Sequence, residues 1–268
     1  MNDGRYADLG RPPLNPTALR RALVVPGGLW TDVAVVAETG STNADVAAAA
    51  RAGTAEGLVV VAEGQTAGRG RQGRTWQSPA RAGIAASVLL RPAGVDPARY
   101  GWLPLLAGVA LAEAVRRVGD VDAVLKWPND LLIDGRKCAG VLVEVAVPGA
   151  VVVGFGLNTT LSTPELPGPQ ATSLALAGAA CVDRDPLLRA ALRALAAWYG
   201  RWREAAGDAV ASGVAEAYAF HCATVGRQVR VELPGGDELC GRADAVDAAG
   251  RLVVDGRPLA AGDVAHLR

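Results

Sequence analysis

The sequence predicts an α+β protein that carries a small β-barrel at its C-terminus. Between residues 31 and 222, helical stretches alternate with short apolar runs whose order favours a mixed, mostly antiparallel sheet. Between residues 223 and 268, short strands are separated by Gly and Asp turns, a spacing typical of a small barrel. The sequence therefore predicts an N-terminal extension (1–30), a main domain (31–222) and a C-terminal barrel (223–268).

The elements follow from local signals in chain order. Asn15 and Pro16 suit a helix start, and Ser41-Thr42-Asn43 can cap a second helix that Gly53 ends. The predicted helices are 16–23, 44–51, 103–118, 185–202 and one that begins at 214. The predicted strands of the main domain are 33–38, 58–62, 84–90, 124–127, 131–133, 140–145 and 151–157.

Composition and charge exclude several functional classes. The formal net charge is zero, which argues against general affinity for nucleic acid or for an anionic membrane surface. The four cysteines are scattered and only two histidines occur, so a structural zinc site is not expected. The N-terminus lacks an apolar export segment, and Glu144 and Pro148 interrupt the longest apolar stretch. We expect a cytoplasmic protein with free thiols.

Both lysines of the chain, Lys126 and Lys137, lie in one segment, whereas all its other basic side chains are arginines. A lysine that persists in an arginine-rich chain points to a need for a compact ammonium, which suits carboxylate or phosphate oxygens at close range. The alternative is a chance cluster on a solvated surface. Lys126 itself suits either ATP phosphates or a buried carboxylate.

A Gly/Arg-rich loop follows the second strand. Its run from Gly68 to Gly73 matches the G-x-G-x-x-G dinucleotide pattern, but no helix opens after it and no acidic residue follows roughly twenty positions on. A dinucleotide site is therefore rejected, and a P-loop motif is absent from the sequence. The glycines let backbone N–H groups approach an anion, while Arg69, Arg71 and Arg74 supply charge. The loop suits a phosphate or adenylate wrap that is mobile when empty, with a solvated arginine-rich turn as the alternative.

Other polar residues are individually ambiguous. Asn129 and Asp130 fit a plain turn, yet Asp130 at a sheet edge also suits an incoming amine, with Lys137 facing the same cleft across a hairpin. A helix N-terminus such as the one at Ser41 also binds small polar ligands. Gln65 and Asn158 are lone amides.

Taken together, these segments resemble the biotin protein ligase family. The matching stretches are Ser41-Thr42-Asn43, EGQTAGRGRQGRTWQSP, KWPNDLLIDGRKCAGVLVE, and VGFGLN ending at Asn158. The resemblance implies a class II synthetase-like biotin/lipoate ligase domain followed by an SH3-like barrel. It also implies that biotin and ATP·Mg²⁺ give biotinyl-5′-adenylate, from which biotin passes to a lysine of a biotin carboxyl carrier domain of an acyl-CoA carboxylase.

The resemblance also assigns roles by position. Biotin would be held by Ser41, Thr42, Asn43, Gln65, Arg69, Gly70, Arg71 and Lys137. ATP or the adenylate would contact Gly68, Arg69, Arg71, Arg74, Trp76, Lys126, Asn129 and Asn158, with Trp76 and Asn158 near adenine. Lys137, Asp130 and Arg71 would be catalytic, with no protein-only metal site.

Some members of this family carry an N-terminal winged helix and repress transcription. The segment before the first predicted strand is too short for such a domain, so DNA binding is not expected. We expect a monomer or weak homodimer. The nearest alternative is a lipoate or octanoate ligase, and a more remote one is a non-catalytic binding protein that uses the barrel.

Overall fold

The computed structural model describes residues 10–267. Five α-helices and twelve strands occur in this part of the chain. The helices are α1 (Pro16–Leu23), α2 (Thr42–Arg51), α3 (Trp102–Ala114), α4 (Arg184–Glu204) and α5 (Val214–His221). The strands of the main sheet are β1 (Asp32–Val36), β2 (Leu58–Ala62), β3 (Gly83–Leu90), β4 (Ala123–Lys126), β5 (Asp130–Ile133), β6 (Arg136–Val147) and β7 (Ala150–Asn158).

The main sheet has the strand order β1-β2-β3-β7-β6-β5-β4. β1 and β2 are parallel and every other neighbouring pair is antiparallel, which confirms the mixed, mostly antiparallel prediction. Helices α3 and α4 pack on one face over the larger core cluster. Helix α2 packs on the other face, where Val46, Ala50 and Val152 form a smaller cluster. No helix within residues 10–267 is long and apolar enough to cross a membrane.

Three predicted helices differ from the observed ones by two or more residues at one end, and of these α4 runs to Glu204 instead of Trp202. Helix α2 begins at Thr42 instead of Ala44, and Ser41 occupies the N-cap position without a hydrogen bond from its side chain to the helix. Helix α3 was predicted to reach Val118, but from Val115 to Gly119 it widens into a π-helical turn. Asp120 then ends it in a left-handed conformation, which the propensities of the preceding residues do not reveal.

The C-terminal part is a five-stranded antiparallel sheet. Its strands are β8 (Gln228–Glu232), β9 (Glu238–Val246), β10 (Leu252–Val254), β11 (Arg257–Leu259) and β12 (Asp263–His266), in the order β11-β10-β9-β8-β12. Two buried indoles of the main part hold it: Trp102 Nε1 donates to the carbonyl of Ala248 and Trp127 Nε1 to that of Gly250, each at 3.1 Å. Its buried side chains belong to the larger core cluster, so the two parts pack on each other. The boundary at residues 222 and 223 stays a prediction.

Candidate active site

A cavity of about 120 Å³ opens on the α2 face of the main sheet. Its floor is formed by β6 and β7, one wall by the N-terminus of α2, and the opposite side by the Gly/Arg-rich loop and the turn before β5. The predicted site residues that line it are Ser41, Thr42, Asn43, Gln65, Arg69, Gly70, Arg71, Arg74, Trp76, Asn129, Asp130 and Lys137. Three distant segments of the sequence, 41–43, 65–76 and 129–137, therefore meet at one place.

The wall at the start of α2 is a buried network of uncharged hydrogen bonds. The backbone N–H of Thr42 donates to Gln65 Oε1 at 2.8 Å, and Thr42 Oγ1 lies 2.7 Å from Ser87 Oγ on β3. Ser87 Oγ in turn donates to Asn43 Oδ1 at 2.6 Å. The Ser41 hydroxyl makes no hydrogen bond to any residue between 10 and 267, so it is available to a ligand.

The network continues to a charged side chain at its far end. Asn43 Nδ2 donates to Glu144 Oε2 at 2.7 Å, and Arg69 Nη2 donates to the same oxygen at 2.9 Å. Both polar atoms of the Asn43 amide are thus engaged within the protein. Its capacity to bind a ligand directly is small, and its contribution is to hold its neighbours in place.

The Gly/Arg-rich loop folds back on itself as an irregular hairpin. The N–H of Trp76 donates to the carbonyl of Gly68 at 2.8 Å, and that of Gly70 to the carbonyl of Arg74 at 2.6 Å. Gln72 at the tip has a left-handed φ of 53°. Gly68 is required at the base because a Cβ there would lie 2.4 Å from the carbonyl oxygen of Trp76. The predicted mobility of the empty loop stays a prediction.

Trp76 lies against a floor without side chains. A Cβ on Gly156 would come within 2.3 Å of its indole, and one on Gly140 within 3.4 Å, while a Cβ on Gly154 would meet Asn43 Oδ1 at 1.8 Å. We call Gly140, Gly154 and Gly156 the glycine floor. The Lys137 ammonium is 5.9 Å from the centre of the indole ring. The indole therefore covers part of the glycine floor.

Both lysines of the chain bind one carboxylate. Lys137 Nζ is 2.6 Å from Asp130 Oδ1, and Lys126 Nζ is 3.3 Å from Asp130 Oδ2. The Asp130 side chain is only 13% exposed, whereas that of Lys137 is 37% exposed, so solvent reaches the Lys137–Asp130 pair from the lysine side. Lys137 reaches it from β6 across the β5–β6 hairpin, as the sequence predicted, and Lys126 approaches from the end of β4. Of the two tasks considered for Lys126, this geometry favours the pair with a carboxylate.

The remaining arginines of the loop differ in their partners. Arg71 Nη1 donates to Asn129 Oδ1 at 3.2 Å. Burial lowers the pKa of Arg71, an effect that the Asp130 charge opposes and the Arg74 charge reinforces. Arg74 forms an ion pair with Asp263 on β12, which connects the loop to the C-terminal sheet. Arg74 is therefore held at the mouth of the cavity by a carboxylate of the other sheet.

Three predicted site residues do not line this cavity. Asn158 is buried at the end of β7, where its Nδ2 donates to the carbonyl of Thr172 at 3.0 Å. Gly68 serves the base of the loop, and Lys126 lies in an adjoining groove towards the C-terminal sheet. The buried amide of Asn158 thus anchors the segment after β7, and its predicted contact with adenine finds no support in this geometry.

Three polar residues that sequence reasoning missed pair with predicted site residues: Glu144, Ser87 and Asp263. Glu144 is the single charge in the apolar stretch 139–157, and Ser87 is the single polar residue of β3, so both carried a usable signal. A polar residue at a sheet position that should be apolar marks an internal partner. Asp263 had no such signal, because its contact with Arg74 depends on how the two sheets pack.

The Cys138 thiol next to Lys137 is not a reactive group, and the described side chains do not form a metal site. Burial raises the pKa of Cys138 to about 12, so the thiol beside Lys137 stays neutral and its Sγ lies 3.4 Å from the carbonyl of Asn158. Between residues 10 and 267, no three His, Cys, Asp or Glu side chains gather into a group that could hold a metal ion.

Two family models match this chain. The Biotin/lipoate A/B protein ligase family matches residues 39–158, and the Biotin protein ligase C terminal domain matches residues 224–267. The chain is 46% identical over 266 residues to a biotin–[acetyl-CoA-carboxylase] ligase of Mycobacterium tuberculosis, covering 96% of this chain and 97% of that protein. It is 36% identical over 141 residues to the bifunctional ligase/repressor BirA of Bacillus subtilis, which is 50% of this chain and 43% of that protein.

A solved structure shows the same fold. The biotin protein ligase of Aquifex aeolicus in complex with biotin and ATP superposes with a TM-score of 0.71 at 24% identity, covering 89% of this chain and 100% of that one. The full-length similarity to the mycobacterial ligase, together with the two family matches, is decisive. The chain belongs to the biotin protein ligase family.

Proposed function

We propose that this protein is an ATP-dependent biotin protein ligase. It forms biotinyl-5′-adenylate from biotin and ATP and then transfers biotin to a lysine of a biotin carboxyl carrier domain of an acyl-CoA carboxylase. One observation carries this proposal: an uncharged hydrogen-bonding wall and four cationic side chains face one cavity from opposite sides. Such a cavity suits a ligand with a neutral polar ring at one end and a carboxylate at the other.

In the first step, a biotin carboxylate oxygen attacks the α-phosphorus of ATP and pyrophosphate leaves. Two anions must approach each other, so fixed positive charge is the main requirement. Lys137 neutralises the carboxylate and α-phosphate oxygens, and Arg69 and Arg71 close over the forming mixed anhydride. Arg74 lies on the side where the triphosphate enters. Loop closure also protects the adenylate from water.

In the second step, the acceptor lysine arrives as an ammonium and first gives up one proton. The neutral amine then attacks the acyl carbon, the C–N bond forms, the acyl C–O bond to the phosphate breaks, AMP leaves and the second amine proton passes to solvent. We assign to Asp130, which lies beside Lys137 in the cavity, the tasks of orienting the ammonium and accepting the first proton. Entry of the acceptor amine requires Asp130 to exchange one of its two internal lysine partners.

Biotin recognition rests on the wall at the start of α2. Ser41 and Gln65 present the free polar atoms, Thr42 aligns Gln65, and Asn43 holds Thr42 and Ser87 through the network. Gly70 and the glycine floor leave room for the bicyclic ring. Trp76 shifts from the floor towards the adenine when the nucleotide binds.

The magnesium ion would enter the site bound to the phosphates of ATP. Mg²⁺ prefers phosphate and water oxygens plus one or two carboxylates. Among the described residues that line the cavity, the carboxylates are Asp130 and Asp263, and each already pairs with a cation. The donor set therefore suits an ion that arrives bound to the triphosphate, to which Asn129 and Asp130 would supply oxygen ligands.

The wider setting follows from the composition. Zero net charge supports a ligase that does not bind DNA or membranes, and free cysteines support a cytoplasmic location. A monomer or weak homodimer is sufficient, because every catalytic group proposed above comes from one chain.

A lipoate or octanoate ligase is the second candidate, because the matched family includes both biotin and lipoate ligases. The match of the C-terminal sheet to a biotin protein ligase domain favours biotin. The test is incorporation of tritiated biotin or lipoate into purified carrier domains in the presence of ATP. We expect the carrier domains to incorporate biotin and not lipoate. Incorporation of lipoate but not biotin would reverse the assignment, and incorporation of neither would favour a non-catalytic protein.

A further inference from the structure

One carboxylate oxygen connects the two sides of the cavity. Glu144 Oε2 accepts a hydrogen bond from Asn43 at the start of α2 and another from Arg69 on the loop. Glu144 itself does not line the cavity; it lies on β6 behind these two residues. Two donors that serve different parts of the proposed ligand therefore share a single internal acceptor.

The contact with Arg69 is exchangeable. Side-chain exposure is 46% for Arg69 and 33% for Glu144, so water and ligand anions reach this ion pair. Arg69 donates one hydrogen bond to Glu144, whereas an incoming carboxylate or phosphate can accept two parallel hydrogen bonds from a guanidinium. The contact with Asn43 is less exchangeable, because Asn43 is buried against the glycine floor.

We propose that Glu144 is a positioning residue that acts as a placeholder anion: it holds Arg69 while the site is empty and releases it to the carboxylate of biotin. This inference rests on the proposed function. Because the same oxygen also holds Asn43, the empty loop is anchored directly to the wall that recognises the biotin ring. The ion pair with Glu144 thereby keeps Arg69 beside the cavity until the biotin carboxylate binds.

Glu144→Gln separates the two contacts. A glutamine keeps an oxygen that accepts from Asn43, but it lacks the charge that attracts Arg69. The empty state loses an ion pair, so an anionic ligand no longer competes for Arg69. We expect the ratio of the Kd for biotin to the Kd for biotin methyl ester, which has no carboxylate, to fall by about two- to fivefold relative to wild type.

The measurement is isothermal titration calorimetry of both ligands with wild type, Glu144→Gln, Arg69→Gln and the double variant. In the Arg69→Gln background, Glu144→Gln should leave the ratio unchanged. An unchanged ratio in the single variant would overturn the proposal. So would an equal fall with and without Arg69, since that result means simple repulsion between Glu144 and the ligand carboxylate.

A second readout does not depend on ligand binding. Trypsin should cut the empty Glu144→Gln protein after Arg69 about two- to fivefold faster than wild type, because the loop has lost its anchor. Asp32→Asn, which removes a carboxylate from the surface pair with Arg20, should cut like wild type. Equal rates of cutting in wild type, Glu144→Gln and Asp32→Asn would contradict the proposed role of Glu144. If wild type binds neither ligand, the proposed function fails; if it binds both and the ratio does not move, only this inference fails.

Discussion

The two sides of the cavity are stabilised by different kinds of interaction. At the start of α2, buried uncharged groups satisfy one another over short hydrogen bonds from Gln65 through Thr42 and Ser87 to Asn43. On the loop and lysine side, half-exposed cations pair with carboxylates: Arg69 with Glu144, Arg74 with Asp263 and Lys137 with Asp130.

The difference indicates two modes of binding. Breaking a buried neutral network leaves unsatisfied groups, so that side keeps its shape whether or not a ligand is present. A half-exposed ion pair is weak and can exchange its anion for another. We infer that the α2 side is preformed for the neutral ring, whereas the charged side uses internal carboxylates in place of the substrate anions.

The largest effect should come from the charge at the reacting centre. Lys137→Ala should lower the rate of biotinyl-adenylate formation by about 10²- to 10³-fold, because charge that develops on the phosphate loses its nearest cation. Lys137→Arg should also be impaired, since a planar fork does not reproduce the position of the ammonium. Quenched-flow measurement of adenylate formation checks both. Wild-type rates in Lys137→Arg would show that any cation suffices.

Substitution of Asp130 should affect the transfer step much more than the adenylation step. Asp130→Asn should slow transfer from purified biotinyl-adenylate to the carrier lysine by about 10²-fold, while adenylate formation falls much less. Single-turnover transfer and adenylate formation, measured separately, give the comparison. An equal loss in both steps would mean that Asp130 acts only by placing Lys137.

A substitution in the buried network at the start of α2 should change both the affinity for biotin and the stability of the protein. Ser87→Ala leaves Asn43 Oδ1 without its donor, which costs about 1–3 kcal/mol and should weaken biotin binding about tenfold. Ser173→Ala is the matched control, because Ser173 is also fully buried and donates to the carbonyl of Leu161 at 2.7 Å. Both variants should lower Tm, but only Ser87→Ala should raise the Kd for biotin. Equal affinities in the two variants would remove Ser87 from the site.

The smallest effect is expected at the mouth of the cavity. Asp263→Asn should lower the KM for ATP by about two- to fivefold, because Arg74 no longer exchanges a carboxylate for the triphosphate. Glu238→Gln, which removes a carboxylate from the pair with Arg230 on the same sheet, should have no effect. A higher KM in Asp263→Asn would instead mean that Asp263 holds Arg74 in its productive position.

The sequence predicted the fold better than it predicted the site. Strands such as Leu58–Ala62 are continuous apolar runs, and the helix at Pro16 has both a cap and a proline, so local signals were sufficient. The candidate site came from motifs and from the lysine anomaly, and the structure brings Lys126 and Lys137 to one carboxylate. Their shared carboxylate was not predictable, because two strand pairings bring it between them. The ion pair of Arg74 with Asp263 depends on sheet packing, which no local pattern encodes.

Exchange of labelled pyrophosphate into ATP tests most directly whether this cavity transfers the adenylyl group of ATP to a carboxylate. The purified protein should catalyse this exchange with biotin, not without it and not with lipoate. Lys137→Ala should abolish most of it while still binding biotin methyl ester. Exchange that is independent of biotin, or undiminished exchange in Lys137→Ala, would contradict the account.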